Sequence, residues 1–239
     1  MLSVTHLIGF GRGGGGVPSK NTYSIDLDGS NDYGTFTSPA AAPFSMVCRV
    51  RGDNVATENY LTLMSIGTFT MATGVSGNKF GVHVPGVGRV RSATALSNST
   101  WYMLGYTQIN STTFNATNTK LYLNGAAETG TAMDASSPAN YAGATAYVGS
   151  YYTTSYFWNG LLAEMALWTS VLTAAEMLAL YNAGPGVLYT ANFGDYVSAA
   201  NLYAQWLFEE GTGTTVADES GNGRTLTLVG TPSWSTDNP

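Results

Sequence analysis

The sequence predicts an all-β domain, a sandwich or a barrel, carrying one short helix. Three observations lead there. From residue 22 onward, apolar and polar residues alternate with period two, and turn signals recur every eight to twelve residues or so. One segment, near residues 174–181, breaks that period and carries helix start and stop residues. Third, 44% of the 239 residues are hydrophobic but only 10% are charged, against about 25% in typical soluble domains. The polar surface must therefore come from Ser, Thr, Asn, Gly and Tyr.

Residues 1–21 read as an arm. Val4, Leu7, Ile8 and Phe10 form a short apolar patch, followed by GRGGGGVPSKN. Gly13–Gly16 cannot pack a core and are entropically costly to order. The folded domain is assigned to residues 22–239. Its expected strands are Tyr23–Leu27, Tyr33–Phe36, Phe44–Arg51, Thr62–Ile66, Phe69–Thr73, Lys79–Val84, Trp101–Asn110, Thr119–Leu123, Ala144–Gly149 and Gly160–Trp168. Val84–Gly88 is a Pro/Gly turn, and Asn124-Gly125 predicts a tight hairpin.

The helix is expected over Ala174–Tyr181. Thr173 and Glu176 form a capping box, Leu178 and Tyr181 are placed to face the core, and Gly184-Pro185 ends the element. Pro185–Ala200 is irregular and should wrap the surface. AQWLFEE then reads as a strand with Trp206 and Phe208 on one face, GTGTT and ADESGNG as turns, and TLTLV as a last strand.

Composition narrows the function. The net charge is −6 with no basic run, which argues against nucleic acid. No apolar stretch reaches the length of a membrane span. The N-terminus lacks the basic and apolar regions of a secretory signal. Cys48 is the only cysteine, so no internal disulfide forms, and it reads as a buried apolar residue.

Several segments resemble, in order, the laminin-G-like domains of the concanavalin A-like lectin/glucanase superfamily. They are YSIDLDGSNDYGTF, PFSMVCRVR, STWYMLGYT, KLYLNGAAETG and YVGSYYTTSYFWNGLLAEMALWTSVLTAAEMLALYNAG. The run from Tyr203 to Asp237 resembles the opening strands of that family, yet it stands at the other end of the chain. The resemblance covers about residues 22–237 and implies a two-sheet antiparallel jelly roll in circularly permuted order. The two chain ends should then meet inside one sheet. The opening THLIGFGRGGGG is similar to the starts of some structural proteins of tailed bacterial viruses.

The superfamily includes glucanases, whose chemistry needs two carboxylates about 5–5.5 Å apart for retention. Here only Glu164 is acidic in LAEMALW, and adjacent Glu209 and Glu210 point to opposite faces of a strand. His6 lies in the arm, His83 reads as a rim residue, and no nucleophile elbow is present. Gly9-x-Gly11-x-x-Gly14 lacks the strand and helix of a dinucleotide site. Asp26, Asp28, Asn31 and Asp32 could hold Ca²⁺ or simply shape a turn, and Asp218, Ser220 and Asn222 pose the same choice; the turn is preferred in both, with no cofactor required.

Tyr151, Tyr152, Tyr156 and Trp158 are dense for a loop. They can serve a protein interface, a glycan site or local packing. Sequons at Asn98, Asn110 and Asn115 read as chance matches. Together these readings predict a non-enzymatic structural or decoration protein on the outer surface of a bacterial-virus particle. Leu7, Ile8 and Phe10 would attach it to other virion proteins, as a homo-oligomer with a trimer as the first expectation. The alternative is a carbohydrate-binding adhesion module, viral or extracellular, that meets cell-surface glycan.

Overall fold

The structure, a computed structural model, describes residues 21–39, 44–55, 60–84, 88–109, 115–133, 145–153 and 155–239. The expected arm with His6, Leu7, Ile8 and Phe10, the turn at residues 85–87 and the Asn110 sequon lie outside the described residues.

In chain order the strands are β1 (Ser24–Asp28), β2 (Tyr33–Thr37), β3 (Phe44–Gly52), β4 (Thr62–Ile66), β5 (Phe69–Ala72), β6 (Lys79–Val84), β7 (Gly88–Ala95), β8 (Trp101–Gln108) and β9 (Thr119–Leu123). They continue with β10 (Ala126–Ala127), β11 (Thr131–Met133), β12 (Thr145–Val148), β13 (Asn159–Trp168), helix α1 (Ala174–Ala183), β14 (Leu202–Trp206), β15 (Thr215–Val216), β16 (Leu226–Val229) and β17 (Ser233–Ser235). Two antiparallel sheets result. The first runs β10-β9-β8-β3-β13-β1-β17, with β14 also on β13; the second runs β11-β7-β6-β5-β4-β12-β2-β16-β15. This is the expected jelly-roll sandwich.

Alternating side chains fill the space between the sheets. Phe44 meets Phe69 at 5.5 Å and Tyr106 at 5.3 Å, and Trp206 meets Phe36 edge-on at 4.6 Å. Cys48 is sealed in this core, where burial pushes its thiol far up. The Asn124-Gly125 hairpin forms as expected, both residues at positive φ (50° and 78°).

The first and last described residues converge on the first sheet. One edge of β13 carries β1 against Asn159–Leu162 and β14 against Met165–Trp168, so the two strands lie end to end. β17 then pairs with β1. The Glu209 carboxylate accepts the Thr22 and Tyr23 N–H groups, and the Asn238 amide donates to the Thr22 carbonyl at 3.3 Å. The packed domain includes Asn21, whose buried amide donates to the Ala163 carbonyl at 3.0 Å.

A second hydrophobic layer covers the outer face of the first sheet. Met177 and Leu180 of α1 join Val187, Tyr189 and Tyr196 of the connector over Val47, Met103 and Trp168. The Thr173–Glu176 capping box is in place, and Gly184 (φ 83°) ends the helix. The helical phase differs from expectation. Leu178 and Tyr181 are 46% and 37% exposed, whereas Glu176, Met177 and Leu180 are buried. The connector sets this phase: the Val197 N–H donates to Glu176 at 3.3 Å and draws the capping face inward.

Candidate functional site

With the first sheet's outer face covered by the helix and connector, the outer face of the second sheet is the open one among the described residues. Cross-strand register aligns a row on it: Thr227, Thr35, Tyr147, Ser65, Thr70, His83 and Arg89 are successive partners from β16 to β7. Directly paired residues share a face, and so does Arg91, two residues along β7 from Arg89. At one end of the row, Thr35, Thr37, Thr145, Thr227 and Arg224 line a polar groove of about 370 Å³.

Over the row stands an arc of rings. Tyr60 stacks on His83 (4.5 Å, 26°) and accepts a hydrogen bond from the Arg89 guanidinium at its hydroxyl. Tyr156 lies 6.1 Å from Tyr60 and 6.1 Å from Tyr151. Tyr151 meets Tyr152 at 4.6 Å, Tyr152 meets Tyr147 at 5.8 Å, and Tyr147 meets Tyr33 at 6.0 Å. Tyr152 and Tyr156 are 38% and 46% exposed.

Local bonds explain how these rings are held. Tyr151 and Ser155 form an isolated bridge, Ser150 Oγ donates to the Tyr152 carbonyl, and the Thr62 N–H donates to the Tyr156 carbonyl at 2.8 Å. Tyr60, Tyr152 and Tyr156 all sit at positive φ (49°, 55° and 55°). Bulky residues rarely adopt that region, and such strain concentrates at binding and catalytic sites.

Trp158 does not belong to this group. It is 0% exposed, its backbone N–H donates to the Gly149 carbonyl, and its ring packs where a Cβ on Gly52 would stand. The loop turns inward after Phe157, so the fourth aromatic fills the end of the sandwich.

The face also carries polar atoms with nothing to bond. Thr70 Oγ1, Arg89 Nε and Arg91 Nε are buried without a hydrogen-bond partner among the described residues. Native proteins leave few such groups. Burial, and then the nearby Arg89 charge, hold the His83 imidazole below its ordinary pKa. His83 is therefore part of the floor under Tyr60 rather than a free rim residue. Sequence reasoning did not select Tyr60, Arg89, Arg91 or Tyr147. They become neighbours only through strand register, although the Arg-x-Arg spacing on β7 was a readable signal.

The acidic candidates have structural uses. Glu164 is buried beside Arg49 (3.0 Å) and Gln205 (3.5 Å), and burial raises its carboxyl against the pull of Arg49. Glu209 clasps Thr22, and Glu210 accepts the Ala217 N–H. Asp28 accepts Ser30 and Asn31 N–H groups, and Asp32 accepts those of Asp28 and Thr231. Asn31 is exposed, and Asp26 is half-buried, its carboxyl raised by burial and by Asp53. Asp218 accepts the Gln205, Ser220 and Arg224 N–H groups. Both Asp-rich segments are thus closed turns, and no group of three or more His, Cys, Asp or Glu is arranged for a metal among the described residues. Asn98 and Asn115 also bond backbone N–H groups through their side chains.

Comparison with known proteins fits this architecture. No curated protein matches the chain. Among solved structures, a candidate carbohydrate binding protein from Bacteroides ovatus superposes with a TM-score of 0.63 at 17% identity, over 91% of this chain and 60% of that one. This chain thus spans 60% of that protein's length. A heptameric SAP-like pentraxin from Limulus polyphemus superposes with a TM-score of 0.51 at 13% identity, over 87% of this chain and 94% of that one. These likenesses speak to the fold. The family model Laminin G 3, described as the concanavalin A-like lectin/glucanases superfamily, matches residues 28–177. The chain belongs to the concanavalin A-like lectin/glucanases superfamily.

Proposed function

We propose that the chain is a non-enzymatic carbohydrate-binding domain that takes glycan on the open face of the second sheet. The observation that carries this reading is the arc of tyrosines, with Tyr60, Tyr152 and Tyr156 held at positive φ, above buried polar atoms without partners among the described residues. Tyrosine presents an apolar face and a polar tip, which suits a sugar's C–H face and hydroxyl rim. The Bacteroides ovatus protein of the same fold is a candidate carbohydrate binder, which adds support. Titration calorimetry with an oligosaccharide panel tests the reading. Binding should weaken about tenfold in Tyr156→Ala, or about 1.4 kcal/mol, and failure of the intact protein to bind any saccharide defeats it.

The setting we propose is the outer surface of a bacterial-virus particle, with attachment through Leu7, Ile8 and Phe10. The Gly-rich reach of that arm supports it, since a short apolar plug can dock on a partner. Single arms bind weakly, and several in one homo-oligomer would act together; the Limulus pentraxin of this fold is a heptamer. We read the segment order as a circular permutation, for which adjacent chain ends are a requirement. Removing residues 1–17 should leave the domain folded but unable to join particles. Wild-type incorporation of that truncation overturns the arm's role.

A further inference from the structure

Among the described basic side chains, two form ion pairs. Arg49 pairs with Glu164, and Arg51 with Asp53 and Asp237. Arg224 lies over the Tyr203 ring at 3.7 Å, and Lys120 donates to the Ala116 carbonyl. Lys79 donates to the Ala93 carbonyl. Arg89 and Arg91, like Lys79, Lys120 and Arg224, have no ion-pair partner among the described residues, but these two arginines stand side by side on one strand of the open face. Two residues apart on β7, their Cα atoms stand about 7 Å from each other. Like charges so placed repel.

Both guanidinium groups are nevertheless aimed. Arg89 Nη1 donates to the Tyr60 hydroxyl, and Arg91 Nη1 donates to Ser76 Oγ at 2.9 Å. Each fixed group leaves a buried Nε with no hydrogen-bond partner among the described residues. The Nε edge of a guanidinium matches the two oxygens of a carboxylate or a sulfate. A neutral sugar would not relieve the repulsion, whereas an anion relieves it and supplies the missing acceptors.

We infer that the open face takes an acidic saccharide, its carboxylate or sulfate held by Arg89 and Arg91 and its ring lying against Tyr60 and Tyr156. This rests on the glycan-binding reading above and names the substrate class. The arginines supply charge and orientation, and the tyrosines supply apolar contact.

Calorimetry on the intact protein tests it with oligogalacturonate, a heparin-derived oligosaccharide and a neutral xylo-oligosaccharide of matched length. The two acidic probes separate carboxylate from sulfate recognition. At least one should bind about tenfold or more tighter than the neutral probe, with a preference that shrinks at high salt. Arg89→Met and Arg91→Met should each weaken acidic-probe binding by a larger factor than neutral-probe binding, so that the preference shrinks. Equal binding of neutral and acidic probes by the unmodified protein overturns the inference yet leaves the glycan reading standing. A preference that survives both substitutions also overturns it. No saccharide binding at all defeats both. The comparison on unmodified protein decides even if a variant fails to fold.

Discussion

The Arg49 guanidinium and the Glu164 carboxylate face each other at 3.0 Å across the β3–β13 pair, both almost wholly removed from water. Arg49 also donates to the Leu180 and Gly184 carbonyls at the end of α1. Gln205 on β14 donates toward Glu164 and, at 2.7 Å, to the Val187 carbonyl. The pair therefore fastens helix and connector to the sheet, on the side opposite the open face.

Glu164→Gln strands a buried arginine charge. It should cost about 3–5 kcal/mol of stability, read as a lower denaturant midpoint with an unchanged slope. Saccharide affinity, measured where the variant is still folded, should not change. Turnover of a β-glucan by the purified protein that disappears in this variant would contradict the structural role.

Trp206→Ala removes a ring from the centre of the sandwich, where it packs on Phe36 and donates to the Arg224 carbonyl at 2.8 Å. The expected loss is about 3–5 kcal/mol. Deleting residues 203–239 removes β14 to β17 and should prevent folding. An unchanged melting temperature after either change would refute the assignment.

The aromatic loop should divide into two classes. Tyr152→Ala and Tyr156→Ala should cost clearly less stability than a buried aromatic does, about 1 kcal/mol, while weakening saccharide binding. Trp158→Ala should cost about 3–5 kcal/mol. Thermal melts of the three variants beside one binding titration separate the classes.

Acidification should reveal the turn at Asp218. Burial pushes its carboxyl up, but hydrogen bonds from the Arg224, Ser220 and Gln205 segments outweigh it and hold the pKa below the ordinary value. The folded pKa is depressed, so the stabilisation is present above the unfolded value of about 3.9 and is lost as pH falls through the lower folded value. Asp218→Asn should therefore destabilise by about 1 kcal/mol near neutrality. That difference should shrink in denaturation series taken below about pH 4. A gap constant with pH would count against the ionised carboxylate.

Strands rich in apolar residues, such as Phe44–Gly52 and Asn159–Trp168, were readable from sequence because nearly every residue in them is buried, on both faces of the sheet. The strand Gly88–Ala95 was not: GRVRSATA offers Val90 as its one large apolar residue, and its arginines lie on the open face. That gap hid half the site. The helix cap was readable because it is local, whereas the helix's buried face depends on a connector far along the chain. Trp158 could not be told from its tyrosine neighbours, because its burial is decided by Gly52 across the fold.

The seam where the ends meet has a mechanical consequence. Ser24 pairs with Ser235, Ile25 with Trp234 and Asp26 with Ser233, and residues 22 and 238 leave from the same end of that ladder. A load carried between them meets the contacts of Asn238, Asp237 and Glu209 first and then the ladder pairs in turn, so the pairs open one after another instead of resisting together in shear. The domain should unzip at low force when pulled through both ends. It should bear far more when tethered through residue 22 alone and pulled through a ligand on the opposite sheet, because the load path then crosses the packed core.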